Sequence, residues 1–350
     1  SMTIQPARWQ SDDGGRIYAP DFGDVYASRS GAWGQAEAVF IDGCELGSRW
    51  LTSSCVRLIE TGFGLGVNFL ATWASLLESG SRARLHYVSI EKHPFTASDL
   101  RAALQLSMAS APSGLAARLQ PLAERLLAQW PPLIAGFHSL ELDERVTLTL
   151  ALGDAAALLP RVAGRFDAIF LDGFAPDRNP QMWSPQLIAK LAALAAPGAR
   201  LSTWCVAGAV RRALAEAGFH VEKRPGFGGK RDALAAFMSA DIVQPARPNN
   251  AIVIGAGIAG ASVARQLARR GIAVTVLERE RPAAGGSGNP VGIVRPEPGG
   301  ATNPIAELTA AGTTWLQRWI AQHGAAVRHD WCGVLRMARD ERKREKMAAQ

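Results

Sequence analysis

Two glycine-rich loops, each entered from an apolar run and left through a helical stretch, restrict this chain more than any other feature. The first is Leu58-Ile-Glu-Thr-Gly-Phe-Gly-Leu-Gly66; the second is Ala251-Ile-Val-Ile-Gly-Ala-Gly-Ile-Ala-Gly260, followed by Val274-Thr-Val-Leu-Glu278. Glycines at a strand end let the backbone approach a ligand where a Cβ would collide. The helix that follows offers unpaired N–H groups. Each loop needs its own α/β unit, and 350 residues suffice for two cores of roughly 100–200 residues each.

Between residues 55 and 240 apolar strands alternate with helical stretches, the pattern of a parallel α/β sheet. Strands are expected at 55–60, 85–90, 146–151, 166–171, 200–205, 219–224 and 233–239, and helices at 67–79, 94–106, 185–195 and 207–217. Ahead of them, Ala38-Val-Phe-Ile-Asp-Gly-Cys-Glu-Leu46 reads as a β-hairpin turning at Asp42-Gly43. The proline-containing segment 244–250 reads as a linker. A second βαβ unit then opens with strand 251–255, helix 259–270 and strand 273–278. Beyond it come a Gly/Pro-rich loop over 282–304, a helix at 306–323, a strand at 331–337 and a charged helix at 340–350. About 100 residues cannot hold both a complete nucleotide fold and a substrate subdomain, so the second unit reads as truncated.

The net charge of +7 is unevenly spread. Residues 1–245 carry 23 Lys/Arg and 23 Asp/Glu, whereas residues 246–350 carry 15 and 8, the whole excess. Within the neutral part, Arg211, Arg212, Lys223, Arg224, Lys230 and Arg231 form a local basic cluster. Such a surface suits a phosphate backbone or is simply solvated. No apolar run reaches the ~18–20 residues of a membrane span, and no secretory signal is visible. Cys44, Cys55, Cys205 and Cys332 show no metal-ligand spacing, so reduced thiols and no metal are expected in a cytoplasmic protein.

The first loop resembles the S-adenosylmethionine loop of methyltransferases. Glu91, closing the next strand, can accept hydrogen bonds from both ribose hydroxyls of a nucleoside. Asp154 can take the adenine amino group, cap the helix that follows, or do both. With Glu60, Gly62, Gly64, Gly66 and Asn68 these form the expected methyl-donor site. In Phe166-Asp-Ala-Ile-Phe-Leu-Asp-Gly-Phe-Ala-Pro176, Asp172 ends a buried strand, where doubly wound sheets hold ligands. Methyl transfer to an amine requires a neutral nucleophile, and Asp172 could accept its hydrogen bond or its proton. Phe174 could pack on a flat base. Otherwise Asp172 caps a turn and Phe174 belongs to the core.

Gly255, Gly257 and Gly260 stand at GxGxxG positions, with Glu278 at the end of the next strand where an acid binds a cofactor ribose. Ser287 and Asn289 lie in a glycine-rich loop of the kind found near the cofactor in flavoproteins, which favours FAD.

Several motifs together resemble one family: Asp21-Phe-Gly-Asp-Val-Tyr26, Glu60-Thr-Gly-Phe-Gly-Leu-Gly-Val-Asn-Phe69, Leu171-Asp-Gly-Phe-Ala-Pro176, Asn179-Pro-Gln-Met-Trp183 and Lys223-Arg-Pro-Gly-Phe-Gly-Gly-Lys-Arg231. Gly286-Ser-Gly-Asn289 and Asp330-Trp-Cys-Gly-Val334 agree in order. The chain is similar to bacterial bifunctional tRNA 5-methylaminomethyl-2-thiouridine biosynthesis proteins. The resemblance implies a Rossmann-like S-adenosylmethionine methyltransferase domain over 1–243 and the first part of an FAD-dependent oxidoreductase domain over 251–350. It also implies a tRNA partner carrying a modified wobble uridine. The flavin domain would remove a carboxymethyl group oxidatively, and the first domain would methylate the resulting amine. Lys230 and Arg231 would meet tRNA phosphate or shape the pocket, and the protein would be a monomer. Two other readings remain: a small-amine methyl- or aminopropyltransferase, and a tRNA-binding scaffold. The basic cluster disfavours the first, and the intact glycines disfavour the second.

Overall fold

The apolar run leading into the first glycine loop becomes the middle of a sheet. In the computed structural model, residues 4–27, 31–240, 247–299 and 303–348 are described. The chain divides into two compact units, one of residues 3–243 and one containing 244–350.

The first unit begins with three short strands, β1 (Gln10–Ser11), β2 (Ile17–Ala19) and β3 (Asp24–Ala27), paired antiparallel. Helices α1 (Ala32–Gln35) and α2 (Leu46–Thr52) flank a π-helical turn, Ala36–Ile41. Then follow β4 (Cys55–Thr61), α3 (Val67–Glu78), β5 (Arg84–Glu91), α4 (Ala97–Met108), α5 (Ser113–Ala128), β6 (Gly136–Glu141), β7 (Val146–Leu152) and α6 (Ala155–Leu158). After the crossover come β8 (Phe166–Leu171), α7 (Pro185–Ala193), β9 (Ala195–Thr203), α8 (Gly208–Glu216), β10 (His220–Pro225) and β11 (Asp232–Phe237).

Eight strands form one sheet in the order β10-β11-β9-β8-β4-β5-β7-β6. The central strands β9, β8, β4, β5 and β7 run parallel, and the pairings outside them, β9 with β11, β11 with β10 and β7 with β6, are antiparallel. Alternate residues face opposite layers. Leu58, Tyr87 and Phe170 join one core with Phe69 and Leu119, while Ile59, Ile169 and Leu201 join the other with Ile188 and Leu214. Each such side chain, fully buried, contributes roughly 1.5–3 kcal/mol. The chain runs from β4 outward through β5 to β7, then crosses back to β8. This reversal opens a crevice at the carboxyl ends of β4 and β8, the topological switch point where doubly wound sheets bind ligands.

The expected hairpin at 38–46 is absent. Val39, Phe40 and Ile41 lie in the π-helical turn and are buried, as is Leu46 at the start of α2. A short apolar run does not separate strand from helix by its periodicity. Gly43 is needed for a close approach: a Cβ there would stand 2.1 Å from the Val39 carbonyl and 2.2 Å from Ser202 Oγ. Helix α4 starts later than expected because Thr96 caps it, accepting from Asp99 N. No element was expected across 107–145, where α5 and β6 lie.

In the second unit, β12 (Asn250–Ile254) and β13 (Ala273–Leu277) pair in parallel around α9 (Ile258–Arg269), followed by α10 (Pro304–His323) and α11 (Glu341–Ala348). The strand expected at 331–337 does not form; among the described residues none pairs with it, and Leu335 and Met337 are exposed. Of the linker 244–250, residues 244–246 lie outside the described residues, as do residues 349–350 of the expected final helix. Among the described residues no helix is long and apolar enough to cross a membrane.

Among the described residues of this second unit only Val253, Ala306 and Ile320 are buried apolar side chains, while Ile252, Ile254, Val263 and Leu277 are exposed. Regions with few buried apolar contacts open first. Trypsin is therefore expected to cleave within 247–348 well before 31–240; equal survival of both parts would contradict this.

Candidate methyl-donor and acceptor site

At the end of β4 the chain turns through Gly62, Gly64 and Gly66, with φ of +81°, +55° and +78°. These left-handed conformations are costly for residues with a Cβ. Gly66 is the N-cap of α3. Glu91, at the end of the adjacent β5, holds the loop: its Oε2 accepts from Gly64 N at 2.9 Å and its Oε1 from His93 N at 2.8 Å. A carboxylate oxygen accepts about two hydrogen bonds, so both oxygens retain capacity for ribose hydroxyls. Asp154 caps α6 through Ala156 N (2.9 Å) and pairs with Lys92 at 3.2 Å.

Across the switch point lies Asp172. Thr61 Oγ1 donates to the Asp172 carbonyl at 2.9 Å and accepts from Asp172 N at 3.1 Å, tying the ends of β4 and β8 together. The Asp172 side chain is held from three sides. Its Oδ1 accepts from Gly173 N (2.8 Å) and Trp204 Nε1 (2.9 Å), and its Oδ2 accepts from Asn68 Nδ2 at 2.8 Å. Asn68 Nδ2 also donates to Glu60 Oε1 at 2.9 Å, and Ser89 Oγ donates to Glu60 Oε2 at 2.7 Å. Burial pushes Glu60 well above the usual carboxylate range. Burial also raises Asp172, against the pull of its hydrogen bonds and of the Lys230 charge. A carboxylate so raised accepts a proton more readily near neutrality.

Gly62, Gly64, Asn68, Glu91, Asp154, Asp172, Phe174 and Lys230 line one cavity of about 490 Å³. Its aromatic wall is built by Phe22 stacked on Phe174 at 4.6 Å, with the Tyr26 edge on Phe174 at 5.1 Å. Glycine cradle, flanking acids and open volume suit a nucleoside sulfonium beside a flat acceptor. Glu60 and Gly66 do not line the cavity; Glu60 lies beneath it and orients Asn68.

In the second unit Gly255 has φ +98°, and a Cβ on Gly260 would stand 1.9 Å from the Gly255 carbonyl. The loop could not close with any larger residue there. Glu278 Oε2 accepts from Ala256 N (2.8 Å) and its Oε1 from Glu280 N (3.1 Å). Ser287 Oγ accepts from Ile258 N at 2.9 Å, at the start of α9. Asn289 follows this turn. A dinucleotide would meet the glycine turn and the first turn of α9, with Glu278 placed at the end of β13.

Comparison with known proteins agrees with both halves. Residues 117–239 match a family described as S-adenosyl-L-methionine-dependent methyltransferase, and residues 250–350 match FAD dependent oxidoreductase. The tRNA 5-methylaminomethyl-2-thiouridine biosynthesis bifunctional protein MnmC of Aromatoleum aromaticum is 46% identical over 97% of this chain and 53% of its own length. The protein of the same name from Thiobacillus denitrificans is 46% identical over 97% of this chain and 54% of its own. The chain is similar to these proteins over the half of their length that it spans. The crystal structure of MNMC2 from Aquifex aeolicus shares the fold, with a TM-score of 0.52 at 21% identity over 69% of this chain and 73% of that one.

Some site residues escaped the sequence reading. Asp24 accepts from Val25 N and Ala175 N, both at 2.8 Å, and so fixes the loop after β8. Phe22 and Tyr26 form the aromatic wall, and Trp204 holds Asp172. Phe22, Asp24 and Tyr26 sit in one of the motifs that carried the resemblance, but nothing in their spacing gave them a role. Of the basic cluster, only Lys230 lines the cavity. Arg211 and Arg212 are exposed on α8, Lys223 and Arg224 sit on the edge strand β10, and Arg231 is exposed beyond it. Lys223 pairs with Asp232 at 3.8 Å. Among the described residues no group of His, Cys, Asp and Glu could hold a metal.

Proposed function

We propose that residues 1–243 methylate the primary amine of 5-aminomethyl-(2-thio)uridine at the wobble position of tRNA, using S-adenosylmethionine. Residues 244–250 join this domain to residues 251–350, the first part of an FAD-dependent oxidoreductase. Within a longer protein that oxidoreductase removes the carboxymethyl group from 5-carboxymethylaminomethyl-(2-thio)uridine and so supplies the amine. The chain spans about half the length of the curated relatives it matches. A cytoplasmic monomer acting on tRNA completes the reading.

The observation that carries it is the single free acceptor position on Asp172. Oδ1 already has two donors and Oδ2 has one. One lone pair therefore remains on Oδ2, on a residue that lines the cavity. Bound S-adenosylmethionine supplies an electrophilic methyl group on a sulfonium. Asp172 accepts the amine hydrogen and orients the nitrogen, Phe174 and its neighbours stack on the uracil, and Glu91 holds the loop. Arg211, Arg212, Lys223 and Arg231, all exposed, and the half-buried Arg224 offer a basic surface to phosphates.

The purified chain incubated with S-adenosylmethionine and tRNA bearing 5-aminomethyl-2-thiouridine is expected to add one methyl mass to that nucleoside by mass spectrometry. Binding of S-adenosylmethionine without any methyl gain would move the acceptor to a small amine.

A further inference from the structure

The turn between β10 and β11 leaves the edge of the sheet and returns over the cavity. Two backbone bonds close it, Gly226 N to Arg231 O at 3.0 Å and Lys230 N to Phe227 O at 3.3 Å. Phe227 anchors it: a Cβ on Gly34 would stand only 2.1 Å from the Phe227 ring, so the ring rests on bare backbone of α1. From this anchored turn Lys230 Nζ lies 3.7 Å from the centre of the Trp204 ring. The N–H of the same indole donates to Asp172. One tryptophan thus carries a cation on its face and the acceptor carboxylate at its edge.

Asp172 alone would bind an ammonium group best in its charged form, because a nearby opposite charge favours ionisation. That form has no lone pair for a methyl group. A second cation fixed beside the same carboxylate has the opposite effect and disfavours the ammonium relative to the free amine. We propose that Lys230 is a resident cation that selects the neutral form of the acceptor amine at Asp172. The inference rests on the reading of this unit as an amine methyltransferase. The ammonium proton is released to solvent, and the neutral amine donates a hydrogen bond to Asp172 Oδ2 with its lone pair free. Burial lowers Lys230 from the ordinary lysine range against the pull of Asp172 and Asp24; its role here is that of the cation and not of the base. The groups that face its ammonium are Asp172, Asp24 and Cys205. Both Asp24 oxygens are occupied by backbone N–H groups, and Cys205 is raised by burial. Glu91, Lys92, His93 and Asp154 also line the cavity.

Removing the charge raises the pKa of both the amine and Asp172, so the sign is the same whichever group dominates. In single-turnover methylation at saturating tRNA and S-adenosylmethionine, Lys230→Met should move the acidic limb of the pH profile upward by about one pH unit. Lys230→Arg should leave that limb near wild type, and neither variant should change the affinity for S-adenosylmethionine. A weaker tRNA affinity with an altered salt dependence and an unmoved limb would make Lys230 a phosphate contact and overturn the proposal. Equal losses in both variants with the limb unmoved would reduce it to a structural role. A second measurement needs no turnover: ¹⁵N titration of 5-aminomethyluridine bound to the enzyme saturated with S-adenosylhomocysteine. The amine pKa should be higher in Lys230→Met than in wild type. That result in a protein that never methylates would sink the methyltransferase reading and leave Lys230 its role.

Discussion

Asp172→Asn is expected to lower single-turnover methylation by about 10²- to 10⁴-fold, the usual contribution of a positioned acid–base group, while S-adenosylmethionine affinity stays close to wild type. The substitution keeps the shape of the side chain, and its carbonyl oxygen can still accept from Gly173 N and Trp204 Nε1. Its new amide would face Asn68 Nδ2, donor against donor, at the position where Asp172 Oδ2 now accepts at 2.8 Å. The acceptor for the amine disappears, and Asn68 must swing away. Asp172→Ala instead leaves the Trp204 and Asn68 donors without their partner and is expected to cost stability as well. Calorimetric binding beside the kinetics separates the cases. A parallel fall in affinity and turnover would make Asp172 a support of the loop.

Glu91→Ala is expected to show the reverse pattern, with S-adenosylmethionine affinity falling about 10- to 100-fold. The carboxylate binds Gly64 N and His93 N directly. Hydrogen bonds to a charged group are worth about 1.5–3 kcal/mol. Loss of the side chain frees the middle of a left-handed glycine turn that has no other side-chain clamp on Gly64 N among the described residues. Once the site is saturated with the methyl donor, the rate should recover most of its wild-type value. A variant that stays slow at saturation would give Glu91 a part in the chemistry.

The parallel sheet was legible because each central strand is an apolar run bounded by turn residues, and because acids and glycines mark the strand ends. The positions of Gly62, Glu91 and Asp172 on one crevice followed from that pattern alone. The π-helical turn was not legible, since Ala38-Val-Phe-Ile41 satisfies a buried strand and a buried helix equally. Helix α5 was missed although Leu119, Leu122 and Leu126 follow helical spacing; Pro121 within it breaks the usual signal. Trp204 and Asp24 were invisible for another reason. Their roles depend on which loops the fold brings together, and local pattern carries no information about that. Lys230 and Arg231 shared the alternatives of tRNA phosphate and pocket, because sequence proximity says nothing about which side of a hairpin turn each side chain takes.

The hydroxyl of Thr61, which gives one hydrogen bond to β8 and receives another from it, welds donor and acceptor floors into a single rigid reference. Everything that distinguishes one acceptor from another then resides in the surrounding walls: the strap at 22–26, the loop after β8 and the turn at 226–231. Such a site behaves like an instrument with a fixed bed and interchangeable jaws. Acceptor range can be re-tuned by exchanging wall segments between relatives while the methyl-transfer distance remains set by the bed.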